Sequence, residues 1–310
     1  MPPLERDREA VSAVIFLPFT DGELSMLLDT LESVDRFASE PHHVIAVDDC
    51  SRGQLDVELR RIRPDVTVLR NERKHGGRSG LYVTMANACK YALDHFTFRV
   101  FMKMDTDALM VGPGLVSDAI RYFEDHPEAG ILGSYRVRAD GQRRRWLKWK
   151  LAFWYESHPF RALLGRTRLW REPIRRARRR AYDVGENVLG GAYFLRSECL
   201  AAMRAAGLLD YEFEAILKES RIGDEIIFSL MCKAAGYDLH DFGAPEHSMA
   251  LALTTLPLGK EEILKLGKTI IHSVKRGRDG ESQEELRTFF RGRTPGSSGV
   301  GAGRIEVETP

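Results

Sequence analysis

The sequence contains no long apolar run, and this absence excludes one class of protein. None of its hydrophobic stretches approaches the roughly 20 residues that a transmembrane helix needs. The N-terminal residues MPPLERDREA also have no apolar core of the kind found in a signal peptide. We therefore expect a cytoplasmic protein that is at most peripheral, at the inner face of the membrane.

Cysteine is scarce as well, and its spacing excludes two kinds of site. The chain of 310 residues has four cysteines, and no two of them form a CxxC pair. Neither a zinc site nor a disulfide framework is therefore indicated, and a reducing compartment fits best. No Gly-x-Gly-x-x-Gly motif follows a predicted strand, which disfavours a dinucleotide dehydrogenase.

Charge is nearly balanced over the whole chain but not along it. The formal net charge is +1, whereas residues 136–180 contain sixteen Lys and Arg against three acidic residues, a local charge of +13. The remainder of the chain therefore carries about −12. Such an asymmetry indicates an acidic partner surface, anionic lipid or nucleic acid.

What the sequence has in abundance is an alternation of apolar runs and helical periods. Runs rich in Val, Ile and Phe alternate with segments in which apolar residues recur every three to four positions, a pattern typical of a parallel sheet covered by helices. With 43% hydrophobic residues, the chain can bury a core. We predict an α/β, doubly wound fold. The predicted strands are 11–17, 44–47, 66–69, 98–104, 129–135 and 188–195.

Two helices are predicted in the last third of the chain. The first covers residues 224–235 and ends before Gly236, because glycine suits a helix C-terminus. The second lies near residues 261–275. The Gly- and Ser-rich end of the chain, from residue 291, is predicted to be disordered.

The motif MDTD follows a predicted strand and places two carboxylates at its end. Residues two apart on an extended backbone point to the same face, so Asp105 and Asp107 would present their oxygens together. A buried pair of this kind needs a cation or open water, and carboxylate oxygens suit Mg²⁺ or Mn²⁺. An Asx-rich turn that closes the strand is the alternative.

Two other acidic pairs lie at the ends of predicted elements. Asp48 and Asp49 close a strand, where a carboxylate can accept hydrogen bonds from a base or ribose, and where turn chemistry is the alternative. Ligands of such sheets gather at the carboxyl ends of the strands. Asp224 and Glu225 open a helix, where acids complement the helix dipole but can also deprotonate an acceptor hydroxyl.

Glycine and histidine supply weaker candidates. Gly190 and Gly191 lie inside an apparent strand, where glycine marks either a bulge or a close approach of ligand to backbone. His247 follows a strand-like stretch and fits a metal site that the aspartate pair leaves incomplete, although a lone histidine is more often structural.

Taken together, these motifs resemble the GT-A family of nucleotide-sugar-dependent glycosyltransferases, most closely its family-2-like group. VDDCS is similar to the family's Val-Asp-Asp-x-Ser, and MDTD to its Asp-x-Asp. VLGGAYFLR resembles the strand that frames the acceptor pocket, and GDEIIFSLMCKAAGYDL the acidic pair, helix and glycine. The resemblance runs from about residue 11 to 249. It implies a GT-A, Rossmann-like fold with a mostly parallel central sheet flanked by helices, here with a basic aromatic helical insert.

The resemblance also implies a division of the chain. A single domain would cover residues 1–275, with a nucleotide-sugar half at about 11–135, the basic insert at about 136–182 and an acceptor half at about 183–275. A flexible tail would follow over residues 276–310.

Carried over to the matching positions, the resemblance implies roles at the donor site. Asp49 would bind the base, Asp105 the ribose or a metal-bound water, and Asp107 the metal itself. His247 would be the third metal ligand. Further implied contacts to the nucleotide sugar are Pro18, Asp48, Arg78, Gly190 and Gly191, with Arg73 and Lys74 as added candidates for the phosphates.

The same resemblance implies a reaction. A sugar would pass from a nucleotide diphosphate sugar, with a UDP-sugar favoured, to the hydroxyl of a saccharide or lipid-linked acceptor, with Mn²⁺ or Mg²⁺ as cofactor. Glu225 or Asp224 would be the general base of an inverting enzyme. Because the pair is Asp-Glu rather than the commoner Glu-Asp, both remain candidates. In a retaining enzyme the same residue would orient the acceptor.

The basic aromatic insert interleaves four tryptophans with arginines. An amphipathic cationic helix with Trp at its boundary would lie on an anionic membrane surface, through residues 143–180. The alternative is a solvated basic helix pair that covers the active-site cleft and packs its aromatics into the core. No recognised nucleic-acid motif accompanies the charge, so a nucleic-acid partner is not expected.

Three rival hypotheses remain from the sequence. A haloacid-dehalogenase-type phosphatase also has an Asp-x-Asp after an apolar strand, but it needs Thr or Val where this chain has Leu109. A sugar nucleotidyltransferase would carry a Gly-rich basic loop after its first strand, unlike FTDGELS. The non-enzyme hypothesis is a degenerate transferase-like protein that binds sugar nucleotide or lipid without turnover.

Overall fold

The protein is described by a computed structural model over residues 8–158, 166–211, 220 and 222–292. The strands in this part of the chain are β1 (Glu9–Ala10), β2 (Ala13–Phe19), β3 (His42–Asp48), β4 (Thr67–Arg70), β5 (Phe96–Thr97), β6 (Val100–Met104), β7 (Ala108–Met110), β8 (Ala129–Gly133), β9 (Ala192–Arg196), β10 (Asp238–Asp241), β11 (Met249–Leu251) and β12 (Ile270–His272). The α-helices are α1 (Leu24–Phe37), α2 (Leu55–Ile62), α3 (Ser79–His95), α4 (Leu115–Asp125), α5 (Leu147–Glu156), α6 (Arg166–Ala177), α7 (Ser197–Ala205), α8 (Asp224–Ala234), α9 (Lys260–Lys265) and α10 (Gln283–Arg291).

Seven strands form the central sheet, in the order β10-β8-β9-β6-β2-β3-β4. Strand β2 pairs in parallel with β3 and β6, β3 with β4, and β8 with β10. Only β9 runs against its neighbours β6 and β8 within this sheet. The predicted α/β fold with a mostly parallel sheet is therefore confirmed.

Strand β2 shows why helices cover both faces of this sheet. Alternate residues of a strand point to opposite faces, so Val14 and Phe16 enter one core layer while Ile15 and Leu17 enter the other. Helices α3 and α8 contribute to the first layer, and α1 and α4 to the second. Because both faces are buried, the strand is apolar along its whole length.

A small second sheet brings a distant part of the chain to the end of β6. Its order is β11-β12-β7, and β12 runs antiparallel to β7 with His272 opposite Ala108. Since Ala108 directly follows Asp107, the carboxyl end of β12 lies beside the MDTD motif. Helices α9 and α10 pack their apolar residues against this sheet.

The prediction for residues 261–275 is wrong in its second half. Helix α9 ends at Lys265 and is followed by Gly267, whose φ of 63° is a left-handed conformation that glycine favours. The remaining apolar residues form strand β12. The prediction for residues 224–235 is confirmed, since α8 covers Asp224–Ala234.

The segment expected to be a tail from residue 276 contains a packed helix. Ser282 caps the N-terminus of α10 in a reciprocal capping box with Glu285, which satisfies two backbone donors. Leu286 and Phe290 on this helix are buried. The prediction of a flexible tail is therefore wrong for the helix in this segment. Residues 293–310 lie outside the described residues.

The basic insert contains helices α5 and α6, and residues 159–165 between them lie outside the described residues. Trp170 is buried and packs edge-on against Phe153 with ring centroids 5.1 Å apart, whereas Trp154 is exposed. The aromatic residues are thus divided between core and surface. Among the residues that the structure describes, none of the helices has the length and apolarity needed to cross a membrane.

Candidate active site

A cavity of about 270 Å³ opens where β2, β3 and β6 end, at the carboxyl edge of the central sheet. This is the edge at which ligands of such sheets bind. Three of the predicted donor-site positions, Pro18, Asp49 and Asp105, border it together with Asp107. The other lining residues are Phe19, Thr20, Glu23, Lys74, Gly76, Gly77, Leu81, Thr84, Thr106 and Lys275.

Asp49 forms part of the cavity wall and holds the loop that completes it. Its carboxylate accepts hydrogen bonds from Asn71 Nδ2 at 2.9 Å and from the backbone N–H groups of His75 at 2.8 Å and Gly76 at 2.7 Å. These bonds fix the position of the loop relative to the end of β3.

Asp48 does not reach the cavity, which corrects its assignment as a donor contact. Its fully buried carboxylate accepts bonds from Ser51 N at 2.8 Å, Ser51 Oγ at 2.9 Å and Arg70 Nη1 at 2.8 Å. Neighbouring residues at a strand end point to opposite sides, so Asp49 faces the cavity while Asp48 supports the corner beneath it.

Asp105, Asp107 and His272 form a cluster in which one ligand atom from each lies within 4.8 Å of the others. His272 Nε2 is 3.2 Å from Asp107 Oδ1 and 3.8 Å from Asp105 Oδ2. Two carboxylates and an imidazole are ligands that Mn²⁺ and Mg²⁺ accept, with the carboxylates preferred by Mg²⁺. The residues present therefore fit a divalent cation.

The orientation of His272 supports this fit. Its Nδ1 lies 2.7 Å from the carbonyl oxygen of Ala252. A carbonyl only accepts, so Nδ1 carries the proton and Nε2 is directed at the carboxylates. A hydrogen bond of this kind orients metal-binding histidines. Without a proton or a cation between them, the lone pair of Nε2 and the carboxylate oxygens would repel.

Asp107 is surrounded by donors and positive charge. Ser273 Oγ donates to Asp107 Oδ2 at 2.6 Å, and Lys275 Nζ lies 3.1 Å from the same oxygen. Burial raises the pKa of Asp107, but a His272 ring protonated on both nitrogens, the hydrogen bond from Ser273 and the charge of Lys275 outweigh burial and hold this pKa well below its usual range. Asp107 is therefore a carboxylate over the physiological pH range.

The turn between the two aspartates is anchored from outside the motif. The carbonyl oxygen of Thr106 accepts from Thr30 Oγ1 at 2.8 Å and from Arg287 Nη2 at 2.8 Å. Thr30 Oγ1 also contacts the carbonyl oxygen of Ala108 at 3.1 Å. Helices α1 and α10 thus hold the turn between Asp105 and Asp107 in place.

His247, predicted as the third metal ligand, lies away from the two aspartates, and His272 is the histidine that clusters with them. The His247 ring stacks on Phe242 with centroids 5.5 Å apart and meets the edge of Tyr122 at 6.4 Å. Its carbonyl oxygen accepts a 2.5 Å hydrogen bond from Lys268 Nζ. His247 therefore has the structural role that a lone histidine usually has.

Lys103 connects the metal cluster to the acidic pair. This buried side chain donates to Asp105 Oδ1 at 2.6 Å and to the carbonyl oxygen of Gly190. Burial lowers the pKa of Lys103, but the charges of Asp105 and Asp224 outweigh it and the pKa is raised. Lys103 is therefore a fixed positive charge beneath the site.

Asp224 and Glu225 occupy the first turn of α8, as predicted, but in different environments. Asp224 is buried and accepts from the Tyr193 hydroxyl at 3.3 Å, whereas Glu225 is partly exposed. Burial raises the pKa of both carboxyls, and the positive charge of Lys103 opposes this effect. The pair does not line the cavity at the carboxyl edge of the sheet. Its connection to that cavity runs through Lys103, which donates to Asp105 and is influenced by the charge of Asp224.

The two predicted glycines separate the acidic pair from the metal cluster. A Cβ on Gly191 would overlap the ring of His272, and a Cβ on Gly190 would lie 3.4 Å from Glu225 Cδ. The backbone N–H of Asp105 donates to the carbonyl oxygen of Gly191 at 3.0 Å. The glycines thus allow the close approach of two protein side chains, His272 and Glu225, whereas a ligand or a bulge was expected from the sequence.

The predicted basic contacts divide between several surfaces. Lys74 lines the donor cavity, but Arg73 borders a different cavity of about 780 Å³. Arg78 is exposed at the start of α3 and is not among the described residues that line the donor cavity. Lys275, which the sequence analysis missed, places a second lysine at the cavity.

The model of the family described as glycosyl transferase family 2 matches residues 15–196, more than half of the chain. The chain belongs to glycosyl transferase family 2. The resemblance recognised in the motifs is therefore confirmed, and the mixed sheet flanked by helices is consistent with the family's GT-A fold. Family membership also disfavours the phosphatase and nucleotidyltransferase hypotheses.

Several solved structures are similar to this family 2 chain. A mannosyltransferase from Pyrobaculum calidifontis, PcManGT in complex with GDP-Man and Mn²⁺, has 17% identity and a TM-score of 0.44 over 75% of this chain and 55% of its own. S. aureus TarS 1-349 in complex with UDP-GlcNAc has 14% identity and a TM-score of 0.44 over 88% and 60%. The apo bifunctional glycosyltransferase WbbM has 10% identity and a TM-score of 0.48 over 92% and 50%. The chain spans less than two thirds of the length of each. No curated protein matches its sequence.

Three residues of the site were missed because their local signals are weak. His272 follows the apolar pair Ile270 and Ile271, the pattern of a polar residue at a strand end that also marks MDTD. Because this segment was predicted to be helical, His272 was not recognised as a residue at a strand end. Lys275 lies three residues further on, and Glu23 precedes α1 with no motif of its own.

Proposed function

We propose that this family 2 protein transfers a sugar from a nucleotide diphosphate sugar, with a UDP-sugar favoured, to a hydroxyl acceptor, and that the reaction needs Mn²⁺ or Mg²⁺. The observation that carries the proposal is the cluster of Asp105, Asp107 and His272 at the donor cavity. A saccharide or a lipid-linked saccharide would be the acceptor.

Asp105, Asp107 and His272 would hold the cation. A bound divalent cation supplies positive charge that neutralises the diphosphate leaving group as the glycosidic bond breaks. Lys275 and Lys74 line the same cavity and would add contacts to the phosphates. Lys103 would hold Asp105 in its ligating orientation through the 2.6 Å hydrogen bond.

The nucleoside would occupy the part of the cavity between Pro18 and Asp49. Leu81 and Thr84 border this part from α3. Since both oxygens of Asp49 are already engaged by Asn71, His75 and Gly76, its main contribution would be to keep the wall of the base site in shape.

Glu225 would be the general base of an inverting reaction, and Asp224 its support. Glu225 is the more exposed of the two, and burial raises its pKa toward the range in which a carboxylate can accept a proton from a hydroxyl. Asp224 is buried against Tyr193. In a retaining reaction Glu225 would orient the acceptor instead.

Substitution of Asp107 tests this proposal. We expect Asp107→Asn to lower the metal-dependent transfer rate by about 100-fold or more, because the variant loses a charged ligand. The measurement is nucleotide release and product formation with and without Mn²⁺. Asp118→Asn, an exposed aspartate of α4, is the matched control and should keep full activity. A wild-type protein without transfer activity on any donor would favour the non-catalytic hypothesis.

A further inference from the structure

Helix α5 has an apolar surface that is exposed in the part of the chain that the structure describes. Four of its side chains are large and exposed, with fractional exposures of 66% for Leu147, 57% for Leu151, 63% for Trp154 and 49% for Tyr155. The part of the chain that the structure describes exposes eight large hydrophobic side chains, and half of them are on this helix of ten residues. This concentration indicates a docking surface rather than scattered surface residues.

The four side chains form a single stripe. Each helical residue advances about 100° around the axis, so the spacing i, i+4, i+7, i+8 confines them to an arc of about 100°. The opposite side of the helix is apolar too, since Phe153 is buried and Trp149 packs against the main core. Helix α5 is therefore apolar on both sides, and its outer side stays exposed at Leu147, Leu151 and Trp154.

Positive charge surrounds the stripe. Lys148 and Lys150 are exposed and lie on its two sides by helical geometry. Further exposed cations are Arg143 and Arg145 before the helix, and Arg171 on α6, whereas Arg175 on α6 is paired with Glu172 at 2.7 Å. The single acid of α5, Glu156, is buried and accepts from the Trp170 indole N–H at 3.3 Å. Asp183 is exposed and pairs with Lys150 at 2.7 Å.

We propose that this stripe, with its flanking cations, docks in the interface of an anionic lipid bilayer. Leu151 would enter the acyl boundary, and Trp154 and Tyr155 would lie at the level of the headgroups, which such aromatic side chains prefer. The cations would contact anionic headgroups. With ten residues, α5 spans about 15 Å and lies in the plane of the membrane rather than across it.

Charge also argues against a second copy of the chain as the occupant. Two copies joined through this face would bring two segments of local charge +13 together, and like charges disfavour such a contact. An acidic protein partner would satisfy the cations. An acidic partner alone would not explain why the three apolar side chains Leu147, Leu151 and Trp154 are exposed next to the cations.

The test is sedimentation of the full chain with vesicles of phosphatidylcholine alone and of phosphatidylcholine with phosphatidylglycerol. We expect wild-type protein to sediment with the anionic vesicles at low salt, and less at high salt, since salt screens the attraction. The double variant Leu151→Ser, Trp154→Ser should lower the partition coefficient about tenfold or more. Lys148→Glu should weaken binding to the anionic vesicles.

Matched controls separate docking from loss of fold. Val57→Ser with Ile62→Ser removes two exposed apolar side chains from α2, and Lys265→Glu reverses an exposed charge on α9. Neither should change vesicle binding, and thermal melts should show that all variants fold.

Three results would overturn the proposal. The first is that wild-type protein does not sediment with anionic vesicles at low salt. The second is that the control variants lose vesicle binding to the same extent as the stripe variants. The third is that the double variant Leu151→Ser, Trp154→Ser binds vesicles as well as wild-type protein does. A dimer seen by light scattering that this variant dissociates, without vesicle binding, would assign the face to self-association. Since vesicle binding is measured without sugar transfer, its failure leaves the proposed activity standing.

Discussion

At the scale of single residues, the sequence and the structure point to different histidines as the third candidate metal ligand, and the surroundings of the two residues distinguish them. His272 directs Nε2 at Asp107 and Asp105, while His247 stacks on Phe242. We expect His272→Ala to lower the affinity for Mn²⁺ by about 10-fold to 100-fold, because the site loses a ligand while the aspartates remain.

The matched control for this prediction is His247→Ala. It should leave Mn²⁺ affinity unchanged, since its ring contacts Phe242 and Tyr122 rather than the cluster. Titration of Mn²⁺ into each variant, followed by thermal shift, measures the affinity without any substrate. Equal effects of the two substitutions would contradict the assignment of His272.

Asp224 and Glu225 make stability depend on pH. Burial raises the pKa of both carboxyls in the folded protein, so the folded state binds more protons than the unfolded state between the ordinary carboxyl pKa, about 4, and the raised one. In this window the free energy of unfolding falls as pH rises. Asp107, whose pKa is lowered, has the opposite effect: its stabilising contribution is lost as pH falls through the acidic range.

We expect Asp224→Asn to flatten the decline of stability with rising pH. The variant has no carboxyl to ionise at this position, and so it avoids the cost of a buried charge at higher pH. Urea denaturation from about pH 5 to about pH 8 measures the slope. Asp118→Asn, in an exposed position, should keep the wild-type slope, and a wild-type slope in Asp224→Asn would refute the prediction.

At the scale of elements, α10 supports the turn between Asp105 and Asp107 from a distant part of the chain. Arg287 is buried, and its Nη2 donates to the carbonyl oxygen of Thr106. We expect Arg287→Leu to lower the free energy of unfolding by about 1 to 3 kcal/mol, because a charged hydrogen bond in a buried position is lost. Affinity for Mn²⁺ should fall as well, since the turn loses one of its two anchors.

Arg278→Leu is the control for this element. Arg278 is exposed and pairs with Glu262 at 3.4 Å, and a surface ion pair contributes about 0 to 1 kcal/mol. Guanidinium denaturation and Mn²⁺ titration distinguish the two variants. If Arg287→Leu were no more destabilising than Arg278→Leu, α10 would have no supporting role.

The same elements show how far the sequence could predict the structure. Strands β2, β3 and β6 were predictable because their apolar runs are continuous and buried on both faces. Strand β12 has three residues, Ile270–His272, too short to show a period of its own. Because β12 follows helix α9 closely, its apolar residues were predicted as a continuation of that helix.

The candidate site, like the fold, could be predicted only in part. Asp105 and Asp107 could be assigned because both follow one strand, and local spacing determines which way their side chains point. His272 and Arg287 reach the same turn only through the small sheet and α10, and these tertiary contacts leave no local pattern. Asp48 was assigned wrongly because two adjacent aspartates are alike in sequence, although the strand directs them to opposite sides.

At the scale of the whole molecule, binding of donor and cation should stabilise the fold. A ligand present at about 100 times its Kd adds about 2.7 kcal/mol to the free energy of unfolding, which raises Tm by several degrees. We expect one nucleoside diphosphate of a panel, with UDP favoured, to raise Tm in the presence of Mn²⁺ and much less in its absence.

Asp107→Asn is the control for the nucleotide panel. It should remove the Mn²⁺-dependent part of the shift, since Asp107 is at the centre of the ligand cluster. A Tm shift that is equal with and without Mn²⁺ would contradict the role given to the cation. A Tm shift with GDP alone would indicate a GDP-sugar as the donor.

The ligand cluster crosses the boundary of the family match. Asp105 and Asp107 lie within residues 15–196, whereas His272, Arg287 and the acidic pair that opens α8 lie beyond it. A chimera built by exchanging the matched segment between relatives would therefore inherit two of the three clustered residues. An exchanged segment would need to extend through α10 to keep the whole cluster together, because His272 and Arg287 reach the turn between Asp105 and Asp107 from more than a hundred residues further along the chain.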